Sequence, residues 1–119
     1  MAAHPRNRPP SALQKVLSEY RLSEAALARM LGVSTPAVAG WENGRRPEGR
    51  EVRSKLRRVQ GLLRKAAGVM KKPYVRTWLK KPNDACAELG ARAPIDLLQR
   101  GDYEAVEDML FYLGSGVSF

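Results

Sequence analysis

Few side chains in this sequence could carry catalysis, and their spacing does not favour it. His4 is the only histidine and lies in a Pro- and Arg-rich start, so no Ser-His-Asp or Cys-His arrangement is expected. Glu107 and Asp108 are adjacent on a predicted helix and point apart, which makes a poor acid/base pair. No metal-ligand spacing and no phosphate-cradling glycine loop is present. The sequence therefore predicts a protein that is not an enzyme and uses no metal or other cofactor.

The chain is expected to work in the cytoplasm. Cys86 is the only cysteine, which excludes an internal disulfide and fits a small buried thiol in a reducing compartment. Residues 1–10 contain no apolar run of the kind that a secretory signal needs. No apolar run approaches the roughly 18 residues of a membrane span, so no membrane partner is predicted.

The chemistry that the sequence does favour is the binding of a polyanion. The 119-residue chain has a net charge of +9. Residues 1–81 contain 19 Lys and Arg against 5 Asp and Glu, whereas residues 82–119 contain 2 against 7. A basic body favours nucleic acid, although a merely soluble basic surface or docking on an acidic protein gives the same composition. The acidic last third would repel DNA, so we expect it to face elsewhere.

Capping and breaking residues predict an all-α fold, because no segment shows sustained strand alternation. Serines cap the first three predicted helices and a left-handed glycine ends the second: Ser11, Ser23, Ser34 and Gly32. A long helix follows from Arg50 to Met70, with basic residues around the apolar stripe Val52, Leu56, Val59, Leu63 and Ala66. Such a helix could lie on a membrane surface, but the lack of large aromatics favours a core-packed helix with a solvated basic face.

Shorter helices are predicted in the last third of the chain. They cover residues 74–80, a turn capped by Asn83 or Asp84, residues 94–100, and a final helix from a cap at Asp102 to Gly114. The apolar stripe of the final helix is predicted to consist of Tyr103, Val106, Leu110 and Leu113. Met109, Phe111 and Tyr112 are predicted to lie off this stripe. Either a partner or the long basic helix must then cover the surplus apolar surface.

Residues 22–44 carry one interlocking steric pattern. Ala28 is small where two helices cross, and Gly32 makes the turn between them. Five apolar residues form the wedge that fixes the helices near a right angle, with the indole expected to be buried: Leu27, Leu31, Val33, Val38 and Trp41. The strings Leu27-Ala28-Arg29-Met30-Leu31-Gly32-Val33-Ser34 and Trp41-Glu42-Asn43-Gly44 resemble the Xre/Cro/repressor class of helix-turn-helix proteins.

This resemblance implies which positions face DNA. In that class they are the residue that opens the second helix and several on the outer face of the third, here Glu24, Thr35, Pro36 and Gly40. None is Arg, Gln or Asn, the side chains that discriminate bases by bidentate contacts, and the charge of Glu24 is unfavourable near phosphate. The predicted DNA-binding residues are Ser34, Thr35, Ala37, Gly40, Asn43, Arg45, Arg46, Arg50 and Arg53, the last five through the DNA backbone.

The helix-turn-helix scaffold is intact, but its DNA-facing positions lack the side chains that discriminate bases. This leaves two interpretations. The protein binds DNA mainly by charge and shape, with specificity supplied by oligomerisation. Alternatively, the motif is a structural remnant that serves self-association.

The last third of the chain resembles a second known module. The strings Trp78-Leu-x-x-Pro-Asn83 and Gly90-x-x-x-Pro94-x-Asp96-Leu97-Leu98, followed by Gly101, Val106, Leu110 and Gly116-Val117, are similar to the toxin-binding domain of MbcA/ParS/Xre antitoxins. Residues 84–89 are slightly longer than the family spacing. The resemblance implies a cognate toxin of the RES fold that degrades NAD, whose active site the antitoxin blocks. It also implies repression of the antitoxin's own operon and a homodimer or higher assembly with the toxin.

The predicted toxin contacts lie on the final helix and the tail: Glu107, Asp108, Met109, Phe111, Tyr112, Gly114, Gly116, Val117, Ser118 and Phe119. The acidic residues of this helix could match a basic toxin rim or form a plain solvated face. The Gly-Ser tail could enter a cleft with Val117 and Phe119, or it could be a frayed terminus.

The predicted organisation is a disordered basic arm at residues 1–10, a helix-turn-helix domain with the long helix at 11–72, and the toxin-binding domain at 73–119. An antitoxin of a RES-domain toxin is the favoured function. The main alternative is a stand-alone, phage or chromosomal transcriptional repressor whose last third only dimerises it. A non-specific nucleic-acid-binding protein is a third possibility.

Overall fold

A computed structural model of the protein describes residues 12–115, and in this part of the chain every regular element is a helix. There are eight: α1 (Ala12–Glu19), α2 (Glu24–Leu31), α3 (Thr35–Glu42), α4 (Arg50–Val69), α5 (Lys72–Lys80), α6 (Asp84–Glu88), α7 (Pro94–Gln99) and α8 (Tyr103–Gly114). The predicted all-α fold is therefore confirmed. No helix within the described range is long and apolar enough to cross a membrane.

Local capping interactions set the ends of the helix-turn-helix helices. The Ser23 hydroxyl accepts a hydrogen bond from the Ala26 amide at 3.0 Å, and the Ser34 hydroxyl does the same for Ala37 at 3.2 Å. Gly32 ends α2 in the left-handed conformation with φ of 70°, as predicted. These interactions fix the tight turn between α2 and α3.

Two helix starts in the last third differ from the prediction in detail. Asn83 is the residue that caps α6, accepting from the Cys86 amide at 3.1 Å. Asp102 stands at the N-cap position of α8 but makes no side-chain capping bond, so its predicted role is wrong. The predicted cap of α1, Ser11, lies outside the described residues.

The break before α5 falls earlier than the sequence suggests. The sequence predicts that the long helix ends at Met70 and that the next helix starts at Tyr74. Instead α4 ends at Val69, and Pro73 lies in the first turn of α5, which starts at Lys72. A proline is tolerated there because its missing amide hydrogen has no intrahelical acceptor in the first turn.

A single apolar core joins the helix-turn-helix to the later helices. Helices α2 and α3 pack against each other, α4 lies along α8, and α7 packs against α2, α5 and α8. The centre of this core is made of fully buried side chains from six helices: Leu27, Val38, Val59, Val75, Leu97 and Val106. Burial of this apolar surface is the main stabilising contribution to the fold.

The long helix α4 buries much of the predicted stripe. Val59, Leu63 and Ala66 are buried, and Leu62, which the stripe omitted, is buried with them. Val52 and Leu56 are only half-buried because the first half of α4 lies at the margin of the core. Basic side chains cover the solvent side of the helix, as predicted.

The buried face of α8 includes one residue that the sequence analysis placed elsewhere. Met109 is only 7% exposed, whereas Leu113, predicted to lie in the stripe, is half-buried. At about 100° per residue, position 109 falls three residues after Val106 and one before Leu110, which places it on their face. The prediction that Met109 lies off the stripe is therefore wrong.

Candidate functional site

The outer surface of α3 offers small and neutral groups. Thr35 is exposed, Ala37 is half-buried, and the Ser34 hydroxyl is occupied as the helix cap. Gly40 lies against the side chain of Arg45: a β-carbon at Gly40 would stand 3.1 Å from Arg45 Cδ. The outer surface of α3 therefore offers few side chains that could discriminate bases, as the sequence predicts.

The loop after α3 carries the exposed positive charge of this part of the molecule. All five predicted backbone-contact residues are exposed: Asn43, Arg45, Arg46, Arg50 and Arg53. The Asn43 amide donates to the Ala39 carbonyl at 3.1 Å, and Arg53 Nη1 donates to the Pro47 carbonyl at 3.3 Å. The loop therefore holds a short row of cations suited to phosphate contacts on the outside of a helix-turn-helix.

Trp41 lies at the margin of the core. Its indole is half-buried and lines an open cleft of about 710 Å³, together with Val33 and Val52. Arg45 and Arg53 are among the residues that border the same cleft. Leu27, Leu31 and Val38 of the wedge are buried and Val33 is half-buried, whereas the expectation of a buried indole is wrong for Trp41.

Two carboxyl groups meet where α2 begins and α3 ends. A hydrogen bond with Glu24, followed by burial, raises the pKa of Glu42 above its usual range. Glu42 Oε1 is buried and has no hydrogen-bond partner among the described residues. Protonation of Glu42 would lower the negative charge near the start of α2, where negative charge is least favourable for DNA.

The solvent side of α8 presents two neighbouring aromatic rings. Phe111 is 67% exposed and Tyr112 is 47% exposed. Their ring centroids are 5.7 Å apart in an edge-on arrangement, which is a favourable geometry for aromatic pairs. Large exposed apolar groups are common at protein interfaces, so these rings, the α8 aromatic pair, form a candidate partner surface.

Of the two acidic residues predicted to contact the toxin, Glu107 forms an ion pair within the protein and Asp108 faces solvent. Arg58 of α4 donates to Glu107 at 2.8 Å, and this hydrogen bond lowers the pKa of Glu107. Asp108 is exposed. Both side chains of the Arg58–Glu107 pair remain partly solvated, so the pair stabilises the fold by no more than about 1 kcal/mol.

A groove between α5 and α8 lies beside the half-buried Leu113. Trp78, Met109 and Leu113 form its apolar lining, with Pro82 and Ala85 at one side, and its volume is about 370 Å³. The Met109 sulfur also lies 3.9 Å from Cys86 Sγ in the core. Trp78 belongs to the string that resembles the toxin-binding domain but is not among the predicted toxin contacts, and that string was the only signal for it in the sequence.

The end of α8 brings the chain close to α4. A β-carbon at Gly114 would stand 3.4 Å from Val69 Cγ2, an ordinary contact. The predicted tail contacts Gly116, Val117, Ser118 and Phe119 lie outside the described residues.

One buried contact links the helix-turn-helix to α8. The Tyr103 hydroxyl donates to the carbonyl oxygen of Met30, one of the last four carbonyls of α2, which lack intrahelical donors. Arg58 stacks over the Tyr103 ring, 5.4 Å from its centroid. Burial raises the pKa of Tyr103, which keeps its hydroxyl protonated as a donor. Among the described residues no cluster of His, Cys, Asp and Glu could hold a metal ion.

The chain matches two family models along its length. Residues 13–53 match a helix-turn-helix model, and residues 71–116 match the antitoxin Xre/MbcA/ParS C-terminal toxin-binding domain. The chain is an Xre/MbcA/ParS-type antitoxin. The predicted resemblance is thereby confirmed, and the aromatic pair and the α5–α8 groove of this antitoxin fall within the toxin-binding match.

The fold of the antitoxin also occurs in a solved complex. The chain superposes on a chain from the crystal structure of the M.tuberculosis MbcT-MbcA toxin-antitoxin complex with a TM-score of 0.70. The two chains are 22% identical, and the match covers 92% of this chain and 96% of that chain. Among curated proteins, none matches the sequence.

Proposed function

We propose that this antitoxin binds a cognate RES-domain toxin, an enzyme that degrades NAD, and inhibits it by covering its active site. The observation that carries the proposal is the exposure of Phe111 and Tyr112 on α8, inside the region that matches a toxin-binding domain. Two large aromatic groups on a rigid helix are suitable interface anchors, because their burial removes much apolar area from water at little entropic cost.

The groove between α5 and α8 gives the toxin-binding region a second candidate attachment point. A toxin side chain that enters it would contact Trp78 and Leu113, both of which are half-buried in the free antitoxin. Helix α8 ends at Gly114, and the predicted tail contacts follow it in the sequence. Our hypothesis is that Val117 and Phe119 occupy the mouth of the toxin active site, while α8 holds the complex together.

The proposal also includes binding of operator DNA, with specificity aided by a homodimer or a higher assembly with the toxin. Arg45, Arg46 and Arg50 are exposed next to α3, and the outer surface of that helix carries no bidentate base reader. Affinity for DNA should therefore come mainly from phosphate contacts and depend steeply on salt. Such a division of tasks fits autoregulation in the cytoplasm.

The proposed binding of a toxin is tested by co-expressing the full chain with the toxin encoded beside it and isolating the complex by size exclusion. NAD content and growth then report inhibition. Deletion of residues 115–119 should leave a folded antitoxin with nearly unchanged DNA affinity and lower toxin neutralisation. If the truncated protein protects fully, the tail does not cover the active site and blocking belongs to α8. If no complex with a NAD-degrading toxin forms, the stand-alone repressor becomes the better account.

The proposed DNA binding is tested by replacing Arg45 and Arg46 with alanine. Loss of two phosphate contacts should weaken binding to all duplexes alike and reduce the slope of log K against log salt by about 1.8. Lys15→Ala/Arg64→Ala, which removes two exposed cations from other helices, is the matched control. Salt-insensitive binding to a single operator sequence would contradict a backbone-dominated mode.

A further inference from the structure

Four cations surround a shallow depression where α5 meets the turn between α1 and α2. Arg21 comes from the turn and Arg76, Lys80 and Lys81 from α5 and its end; we refer to them as the α5 cationic cluster. The depression has a volume of about 620 Å³, and none of the described residues that line it is acidic. This surface is separate from the α3–α4 loop and from the aromatic pair, and it meets the α5–α8 groove at Lys81, which lines both.

Most of this charge is uncompensated within the described chain. Among residues 12–115, the side chains of Arg21, Arg76 and Lys81 form no ion pair or hydrogen bond, and Arg76 Nε is buried without an acceptor. A buried donor without a partner costs free energy, and an acceptor that a ligand brings to the half-buried Arg76 guanidinium would offset this cost. The exception is Lys80, whose Nζ donates to the Arg21 carbonyl at 3.2 Å and ties α5 to the turn.

The backbone at Arg21 makes the presence of an arginine there more informative. Its φ is 48°, the left-handed region, because it occupies the position after α1 at which the chain reverses. The Leu22 amide donates to the Leu17 carbonyl at 3.0 Å and the Arg21 amide to the Ser18 carbonyl at 3.4 Å, the hydrogen bonds of a Schellman end. Glycine is the usual residue in this conformation, since it has no steric penalty there. The chain thus keeps a cation at a position where the fold alone favours glycine.

We propose that the α5 cationic cluster is a second contact surface for the phosphodiester backbone of DNA. Arg21 lies two residues before Ser23, the cap of α2, so the cluster adjoins the start of a helix whose dipole is positive at that end. Glu24 opens this helix and offsets part of that potential, so the cations on α5 supply the phosphate contacts that extend the footprint of the helix-turn-helix along the duplex. The inference rests on the DNA-binding part of the proposed function. It explains how the protein could bind DNA although α3 carries no side chain that discriminates bases.

An acidic protein surface, such as a patch on the toxin, is the competing partner for these cations. The observations favour DNA because the cluster adjoins the start of α2 and the depression is lined by no apolar side chain larger than Pro73. Interface cores between proteins are instead rich in aromatic and aliphatic anchors. Repeated point charges without such anchors suit a phosphate chain.

The test compares two variants of the full chain that each lose two positive charges. Arg76→Gln/Lys81→Gln removes cluster cations, and Arg64→Gln/Lys65→Gln removes exposed cations from the outer side of α4. Binding to a random-sequence duplex of about 30 base pairs is followed by fluorescence anisotropy across a salt series. We expect the cluster variant to reduce the slope of log K against log salt by about 1.8 relative to wild type, and the control to change it little.

Arg21→Gly guards against a loss caused by misfolding. Glycine suits the left-handed backbone, so its thermal midpoint should equal or exceed that of wild type while the salt slope falls by about 0.9. An unchanged slope in both the Arg21 and the Arg76/Lys81 variants would overturn the inference. So would a loss of toxin affinity with DNA binding intact, which would assign the cluster to the toxin. If Arg45→Ala/Arg46→Ala lowers the slope but the cluster variants do not, only this inference fails. If the wild-type protein binds no duplex, both this inference and the proposed DNA binding fail.

Discussion

Replacing Phe111 and Tyr112 with alanine should separate toxin binding from folding. Phe111 is 67% exposed and Tyr112 is 47% exposed, so the free antitoxin gains little from burying either ring. Substitutions at such surface positions usually change stability by about 0.5 kcal/mol or less, and alanine is the strongest helix former. We therefore expect the double variant to keep its helix content and a nearly unchanged free energy of unfolding.

The expected loss of toxin affinity is much larger. An aromatic anchor that becomes buried in an interface contributes at least about 2 kcal/mol on truncation to alanine. Since the two rings are in contact, with centroids 5.7 Å apart, their contributions should not add fully. A combined loss of about 2–4 kcal/mol corresponds to a roughly 30- to 1000-fold rise in Kd for the toxin.

Isothermal titration with purified toxin measures this loss, and urea unfolding measures stability. Leu110→Ala is the contrasting variant from the same helix, because Leu110 is 1% exposed. It should cost about 2–5 kcal/mol of folding stability through the cavity it leaves. An unchanged Kd in the Phe111→Ala/Tyr112→Ala protein would refute the assignment of this face to the toxin.

Three further substitutions test the interior of the fold. Trp41→Ala should cost about 1–3 kcal/mol in urea unfolding, less than a buried indole, because the ring is only half-buried; a cost above this range would mean that the cleft closes over it. Tyr103→Phe should cost about 1–3 kcal/mol by leaving the Met30 carbonyl without its donor, and unchanged stability would exclude that bond. Glu42→Gln should raise the thermal midpoint near neutral pH but not in acid. The folded pKa of Glu42 is raised, so wild type loses stability as pH increases from the unfolded pKa through the folded one. Equal midpoint differences at both pH values would contradict this linkage.

The parts of the fold that the sequence could predict are those fixed by neighbouring residues. Ser23, Ser34 and Gly32 act within one turn of their own position, and their roles are confirmed. The family strings were equally local and led to the correct type of antitoxin. The predicted domain boundary between residues 72 and 73 stays a prediction; it falls next to the first residue of α5.

Contacts between helices distant in sequence were out of reach. The Tyr103–Met30 hydrogen bond spans 73 positions and the Arg58–Glu107 pair spans 49. The apolar periodicity of a helix predicts which of its faces is buried. It does not predict which carbonyl or cation of another helix will contact that face. The same holds for Trp41, whose burial depends on how closely the loop at 45–49 covers it.

The surplus apolar surface of α8 had two possible explanations in the sequence, a partner or the long basic helix. Helix α4 does pack along α8, whereas Met109 is buried beside Cys86 of α6. Phe111 and Tyr112 stay exposed although α4 is already in place, so packing against α4 does not cover these rings. The residues proposed to contact the toxin are therefore these two rings and the lining of the α5–α8 groove.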